Sequence, residues 1–284
     1  AYGFKAIASE KLVATTKGVN NGTPTAPNYN AYAYTFEWNH ISDAALLADI
    51  LKQNIRVRFN RTEMVNSGKK LNNGSLIITR GDNKHIKKFD QTLIAIANKH
   101  YKYANSINTG FSEKGPDMGS SAVRELKNQK IAILSGDYTS SLSYGEIQYF
   151  FEQDLKYSYT AINTSDFSAS MLDNYHTLVI PNGYYGGFFN KSRMDGLKSW
   201  IRNGGKVIAI GGANSIFANK KGFGLKTKSS NSKKDKKEEA PIIRYEDLER
   251  DRIQGSITGA IFKTKIDNSH PLGFGYGDTY FTLK

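Results

Sequence analysis

The chain of 284 residues contains no cysteine. That absence removes disulfides, thiolate nucleophiles and thiolate zinc sites together, and it says nothing of compartment. No apolar run is long enough to span a bilayer, and no basic-then-apolar leader opens the chain, which starts Ala1-Tyr2-Gly3 without an initiator Met. The expectation is a soluble piece of something longer. The five histidines, His40, His85, His100, His176 and His270, form neither His-x-x-His nor His-x-x-Glu, and lone histidines do not make a zinc site of three or four ligands. The nearest approach is His40-Ile41-Ser42-Asp43, where Asp43 has a simpler role at a helix start. Serine hydrolase chemistry lacks its Gly-x-Ser-x-Gly. Phosphate cradling lacks a Walker A pattern, and the glycines of Gly273-Phe274-Gly275-Tyr276-Gly277 do not end a strand that opens a helix.

What is present is enough for a real core, with 39% apolar and 12% aromatic residues. The length suggests two domains, or one enlarged α/β unit. Of the formal charge of +13, part lies in one lysine tract and the remaining +8 is spread over the rest of the chain. Eight lysines against Asp235, Glu238 and Glu239 give the segment from Ala218 to Ala240 a net +5. A Ser/Lys-rich tract such as Lys226 to Glu239 cannot bury enough surface to offset its ordering entropy, so a solvated loop over 219–240 is favoured over a polyanion-binding arm.

The organising stretch runs from Lys130 to Ala218. Three apolar runs, Ile131 to Leu134, Thr177 to Ile180 and Lys206 to Ile210, each end in a loop bearing glycine: Ser135-Gly136-Asp137, Pro181-Asn182-Gly183 and Gly211-Gly212-Ala213-Asn214. Between them lie helical patterns, one from Ser143 to Leu155 with Tyr144, Ile147, Phe151 and Leu155 on a face, another with Met194, Leu197, Trp200 and Ile201. Unalternating strands separated by amphipathic helices predict a doubly wound, mostly parallel α/β sheet over 126–284. Ahead of it, residues 1–125 predict an extended segment and a smaller α/β unit: strand from Tyr32 to Trp38 with alternating faces, helix capped by Ser42 or Asp43 and stopped at Asn54, strand from Ile55 to Phe59, buried strand at Leu76 to Ile78, and a helix carrying Phe89, Leu93, Ile96 and Ala97. The connector from Gly110 to Arg124 is a linker or a loop wrapped over that unit. Gly259 to Asp267 and Thr279 to Leu283 alternate like strands and predict a closing hairpin or an addition to a sheet edge.

Ligands in open α/β sheets bind at the C-terminal strand ends. A pocket is therefore expected among Ser135, Asp137, Asn182, Tyr184, Tyr185 and Asn214, with Tyr184 and Tyr185 either stacking on a ligand or covering the sheet end. The run from Gly205 to Ala218 resembles the nucleophile elbow of the class I glutamine amidotransferase and intracellular-protease superfamily, which implies a flavodoxin-like sheet. In that family a cysteine stands on a tight strand-to-helix turn. Here the position falls on Gly211, followed by Gly212 and Ala213, so the elbow is degenerate and the thiolate mechanism is excluded.

A second resemblance spans most of the chain. The blocks Tyr32 to Trp38, Gly74 to Ile78, Gly110 to Ser120, Lys130 to Gly136, Ser143 to Ile147, Tyr175 to Gly183, Trp200 to Gly205 and Asn268 to Leu272 are similar to the region after the catalytic domain in large bacterial zinc carboxypeptidases of the carboxypeptidase A type. The resemblance implies a non-catalytic accessory domain, zinc held only in a catalytic domain N-terminal to it as its partner, a periplasmic or secreted location, no nucleic acid and no membrane. No catalytic or metal-binding residue of that family carries over. Two other readings stay open. One is a free-standing hydrolase or amidase using carboxylates, with Asp137, Glu146 and His176 as candidates. The other is a polyanion-binding module using the lysine tract, with steep salt dependence as its signature.

Overall fold

The structure is a computed structural model that describes residues 24–227, 244–250 and 259–283. Two compact units divide the chain, Ala1–Ile216 and Phe217–Lys284. The fold is mixed α/β, with one parallel sheet of four strands and the remaining sheets antiparallel.

The first half of the first unit runs β1 (Ala33–Phe36), α1 (Ile41–Lys52), β2 (Val57–Asn60), the hairpin β3 (Met64–Asn66) and β4 (Lys69–Leu71), β5 (Leu76–Thr79), α2 (Phe89–Lys99), β6 (Asn105–Ile107) and β7 (Val123–Leu126). Its main sheet has the order β6-β1-β5-β2-β7, and every pairing is antiparallel. β1, which lies in the alternating stretch from Tyr32 to Trp38, is buried throughout. Both faces are covered. Tyr34 and Phe36 join Leu46 and Ile50 of α1 and Leu93 of α2 in one core, and burying each of those aliphatic side chains contributes about 1.5–3 kcal/mol. Ala33 faces the other way, with Met64 and Leu71 of the hairpin and Met118 of the 110–124 connector. That connector is the wrapped loop: Asn66 Nδ2, fully buried, donates to the Thr109 and Phe111 carbonyls at 3.0 and 2.8 Å.

The cap of α1 differs from expectation. His40, not Ser42 or Asp43, is the N-cap, and the Asp43 carboxylate sits at the third helical position and accepts the Asn39 and His40 N–H groups at 2.8 and 2.7 Å. Lys102 closes its other side at 2.5 Å. The helix therefore starts earlier because its acid reaches backwards, as in a capping box. Asn54 ends it as predicted, in the left-handed region at φ 56°.

The second half runs β8 (Ile131–Ser135), α3 (Ser141–Tyr149) with a π-helical continuation (Phe150–Leu155), β9 (Thr160–Asn163), a 3₁₀ turn (Ala169–Asn174), β10 (Thr177–Ile180), α4 (Lys191–Arg202), β11 (Lys206–Ala209) and a 3₁₀ turn (Gly211–Ile216). The sheet order is β11-β10-β8-β9, all parallel. Counted within this sheet, the strands lie in the order 2-1-3-4. The chain leaves β8 in one direction and returns past it to β10, so right-handed crossovers put α3 on one face and the later connections on the other. Burial agrees with coverage on both faces: Ile133 and Val179 pack with Phe151, while Ala132, Leu134, Leu178 and Ile180 on the other face are fully buried. On α4, Met194, Leu197 and Trp200 are buried as their spacing predicts.

In the second unit, β12 (Ile261–Lys265) and β13 (Thr279–Leu283) form an antiparallel hairpin, with the Tyr276 and Tyr280 rings at 5.2 Å. Most of the lysine tract, and most of the first 24 residues, lie outside the described residues. Of the charged run from Ile242 to Arg252, residues 244–250 are described, with a 3₁₀ turn at Tyr245–Asp247. Among the described residues no helix is long and apolar enough to cross a membrane.

Candidate functional site at the parallel strand ends

The order 2-1-3-4 reverses between β8 and β10, and an open sheet offers its ligand crevice at the C-terminal side of such a reversal. The loops after those two strands are bonded to each other there. Ser140 N–H donates to the Asn182 carbonyl at 2.8 Å, Tyr184 N–H to the Tyr138 carbonyl at 2.9 Å, and Asn182 N–H to Ser143 Oγ at 3.0 Å. Thr139 and Gly183 form a β-bridge. The contact is close enough to require glycine: a Cβ on Gly183 would lie 2.1 Å from the Tyr138 carbonyl oxygen. Holding that carbonyl in place puts Tyr138 in the left-handed region, at φ 71°, which a bulky side chain adopts only when its surroundings over-determine it.

The third loop joins the same lattice. β11 ends at Ala209, and Gly211 follows with φ 56° as the first residue of a 3₁₀ turn. The Asn182 carboxamide oxygen accepts the N–H of Gly212 at 2.7 Å, and a Cβ on Gly211 would lie 2.7 Å from that same oxygen. Asn182 thus crowds the position a side chain on Gly211 would need and occupies the Gly212 N–H. Ala213 is buried, and Asn214 Nδ2 donates to the Ala209 and Gly211 carbonyls at 3.3 and 3.1 Å.

The predicted pocket residues therefore gather at one end of the sheet, with different environments. Ser135 gives its carbonyl to Thr164 N–H at 2.9 Å, and the Asp137 carbonyl accepts from Thr164 Oγ1 at 2.9 Å. The Asp137 side chain and Tyr184 are exposed, Tyr184 at 81%. Tyr185 is a core residue, fully buried. Its hydroxyl bonds Thr139 Oγ1 at 2.9 Å and donates to the Pro181 carbonyl at 3.1 Å, and burial raises its pKa above the ordinary phenol range despite the Thr139 bond. Of the two readings of that tyrosine pair, Tyr185 covers the sheet end and Tyr184 alone faces solvent, beside exposed Tyr138 and Leu142.

The acid–base triplet does not converge. His176 precedes β10 at its N-terminal end, where its Nδ1 accepts the Lys130 N–H at 2.9 Å. From there to Asn182 is about 20 Å of strand at about 3.3 Å per residue. Glu146 lies in the second turn of α3, which starts at Ser141, capped by Ser140, two residues before the predicted start. No group of three or more His, Asp or Glu that could hold a metal occurs among the described residues. The titratable side chains in the three loops are Asp137, Tyr138, Tyr184 and Tyr185, so a nucleophile paired with a base is not assembled there. Comparison of the chain with family models, curated proteins and solved structures finds no match.

Proposed function

We propose that this chain is the non-catalytic accessory part of a secreted or periplasmic zinc carboxypeptidase-like protein, whose separate N-terminal domain holds the zinc and hydrolyses C-terminal peptide bonds. Its parallel sheet is read as a doubly wound, flavodoxin-like domain of the class I glutamine amidotransferase type that retains the elbow turn without a nucleophile. The strand order 2-1-3-4 supports the flavodoxin-like reading. The observation that carries the non-catalytic reading is the turn at Gly211, with the Asn182 carboxamide oxygen against both Gly211 and the Gly212 N–H. Such a turn keeps the backbone of a reactive centre while a neighbouring side chain fills its place. The hydrolase alternative is disfavoured by the length of strand between His176 and Asn182.

The test is to read the coding sequence upstream of Ala1. A signal peptide followed by a His-x-x-Glu and a later His supports the accessory role. A start codon or signal cleavage site directly before Ala1 overturns it.

A further inference from the structure

The other end of the parallel sheet carries an open cleft of about 380 Å³, bounded by Lys52 at the end of α1 and by the segments entering β8 (128–131), β9 (157–160) and β10 (175–176). Its lining is chemically uniform in one respect: Lys52, Lys130 and His176 are its ionisable nitrogen groups, and no Asp or Glu lines it. Lys52 is held by Asp49 at 3.3 Å, whereas the Lys130 ammonium has no ion pair or hydrogen bond among the described residues. Since His176 Nδ1 accepts the Lys130 N–H, Nε2 is the ring's donor in the neutral imidazole. The walls are tyrosine rings, with amide groups of Asn128 and Gln129 between them.

Two of those rings are fixed before any ligand arrives. The Tyr157 hydroxyl accepts the Gln129 N–H at 3.0 Å and donates to the Gln129 carbonyl at 2.7 Å. Tyr159 donates to Glu152 at 2.8 Å, and its ring lies 5.6 Å from that of Phe151. Walls that are already ordered lose little entropy on binding. Aromatic faces interleaved with amides and hydroxyls suit a polyol ring, and the unpaired Lys130 ammonium, with the His176 Nε2 donor, suits an acid group carried on it. The volume lies near the small end for ligand sites, the size of one or two sugar rings. No glycine-rich loop of the kind that cradles a phosphate borders it.

We propose that this cleft binds a unit of an anionic saccharide, a sugar carrying a carboxylate, with Lys130 and His176 meeting the acid and the tyrosines meeting the ring. Binding here neither requires nor excludes a neighbouring peptidase. The experiment is saturation-transfer NMR on the whole chain with D-glucuronate, D-glucose, AMP and inorganic phosphate as probes, repeated on Lys130→Met. This variant keeps the side-chain stem of an exposed residue, so its melting temperature should match the parent's. Glucuronate should bind about two- to fivefold more tightly than glucose, the size of one exposed charge pair, and Lys130→Met should erase that preference. No glucuronate signal, tighter binding of AMP or phosphate, or a preference unchanged in Lys130→Met would each overturn the assignment.

Discussion

Replacing Gly183 with alanine tests whether the strand-end loops are locked together. The new methyl carbon would lie 2.1 Å from the Tyr138 carbonyl oxygen, 2.9 Å from Tyr185 Cε2 and 3.1 Å from Thr139 Cα. Two of those atoms are backbone and the third belongs to a buried ring, so no flexible side chain can give way. The loops must separate, and the bonds from Ser140 N–H to the Asn182 carbonyl and from Tyr184 N–H to the Tyr138 carbonyl lengthen with them. Overpacking costs about 1–3 kcal/mol, and each of the two weakened hydrogen bonds about 0.5–1.5 kcal/mol, a total of roughly 2–6 kcal/mol. For a unit of this size that lowers the melting temperature by roughly 4–24 °C. The control is Gly186→Ala in the same loop, whose methyl would meet nothing nearer than 3.6 Å and should change stability by less than about 0.5 kcal/mol. Thermal melting of both variants, with amide exchange at Ser140 and Tyr184, decides the matter. If Gly183→Ala melts with Gly186→Ala and keeps both amides protected, the loops are not held together as described.

Other expectations concern the antiparallel half. Asp90, nearly buried, accepts from the Tyr34 hydroxyl at 2.8 Å and from both terminal nitrogens of Arg80 at 2.7 Å; Arg80 is partly exposed and keeps its bonds to the Ala31 and Asn28 carbonyls, so Asp90→Ala should cost about 1–3 kcal/mol in urea unfolding. Burial pushes the Asp90 and Asp49 carboxyls up, but bonds from Arg80 and Tyr34, and from Lys99, His100 and Lys52, pull them below the ordinary carboxylate range; at Asp82 the bond from Arg58 leads. Their stabilisation is therefore present above the ordinary carboxylate pKa of about 4 and fades as pH falls toward the depressed folded values. Stability measured against pH should fall below about 5, and less steeply in Asp82→Asn; an equal slope in that variant would remove Asp82 from the account. At the alkaline end, burial and the bond to Asp90 hold the Tyr34 phenol up to about 12. Its contribution is complete below the ordinary phenol pKa and is lost as pH rises through the folded value of about 12, so spectrophotometric titration should lose a late-ionising phenol in Tyr34→Phe.

How much of this was legible in the sequence depended on whether a segment's partners lie in its own pattern. β5, β8 and β10 are apolar runs buried on both faces, and α2 and α4 carry their cores at helical spacing, so each announces itself. β9 does not: of its four residues only Ile162 is buried, leaving no run to read. The β3–β4 hairpin turns on Ser67-Gly68, both with positive φ, a signal that three-residue strands make easy to pass over. The antiparallel sense of the first sheet is set by long-range pairing that no local pattern encodes. At the site, the glycines marked the three loops, but the position of Asn182 beside Gly211 depends on β10 lying next to β11, and the bond of His176 to Lys130 depends on β10 lying next to β8.

The central claim is that this chain supports a peptidase without being one. The most direct measurement is to compare the full-length protein from its natural source with the present chain, for bound zinc and for release of C-terminal residues from model peptides. The account predicts zinc and hydrolysis in the full-length protein and neither in the chain alone. Hydrolysis by the chain itself, or a full-length protein without zinc, would contradict it.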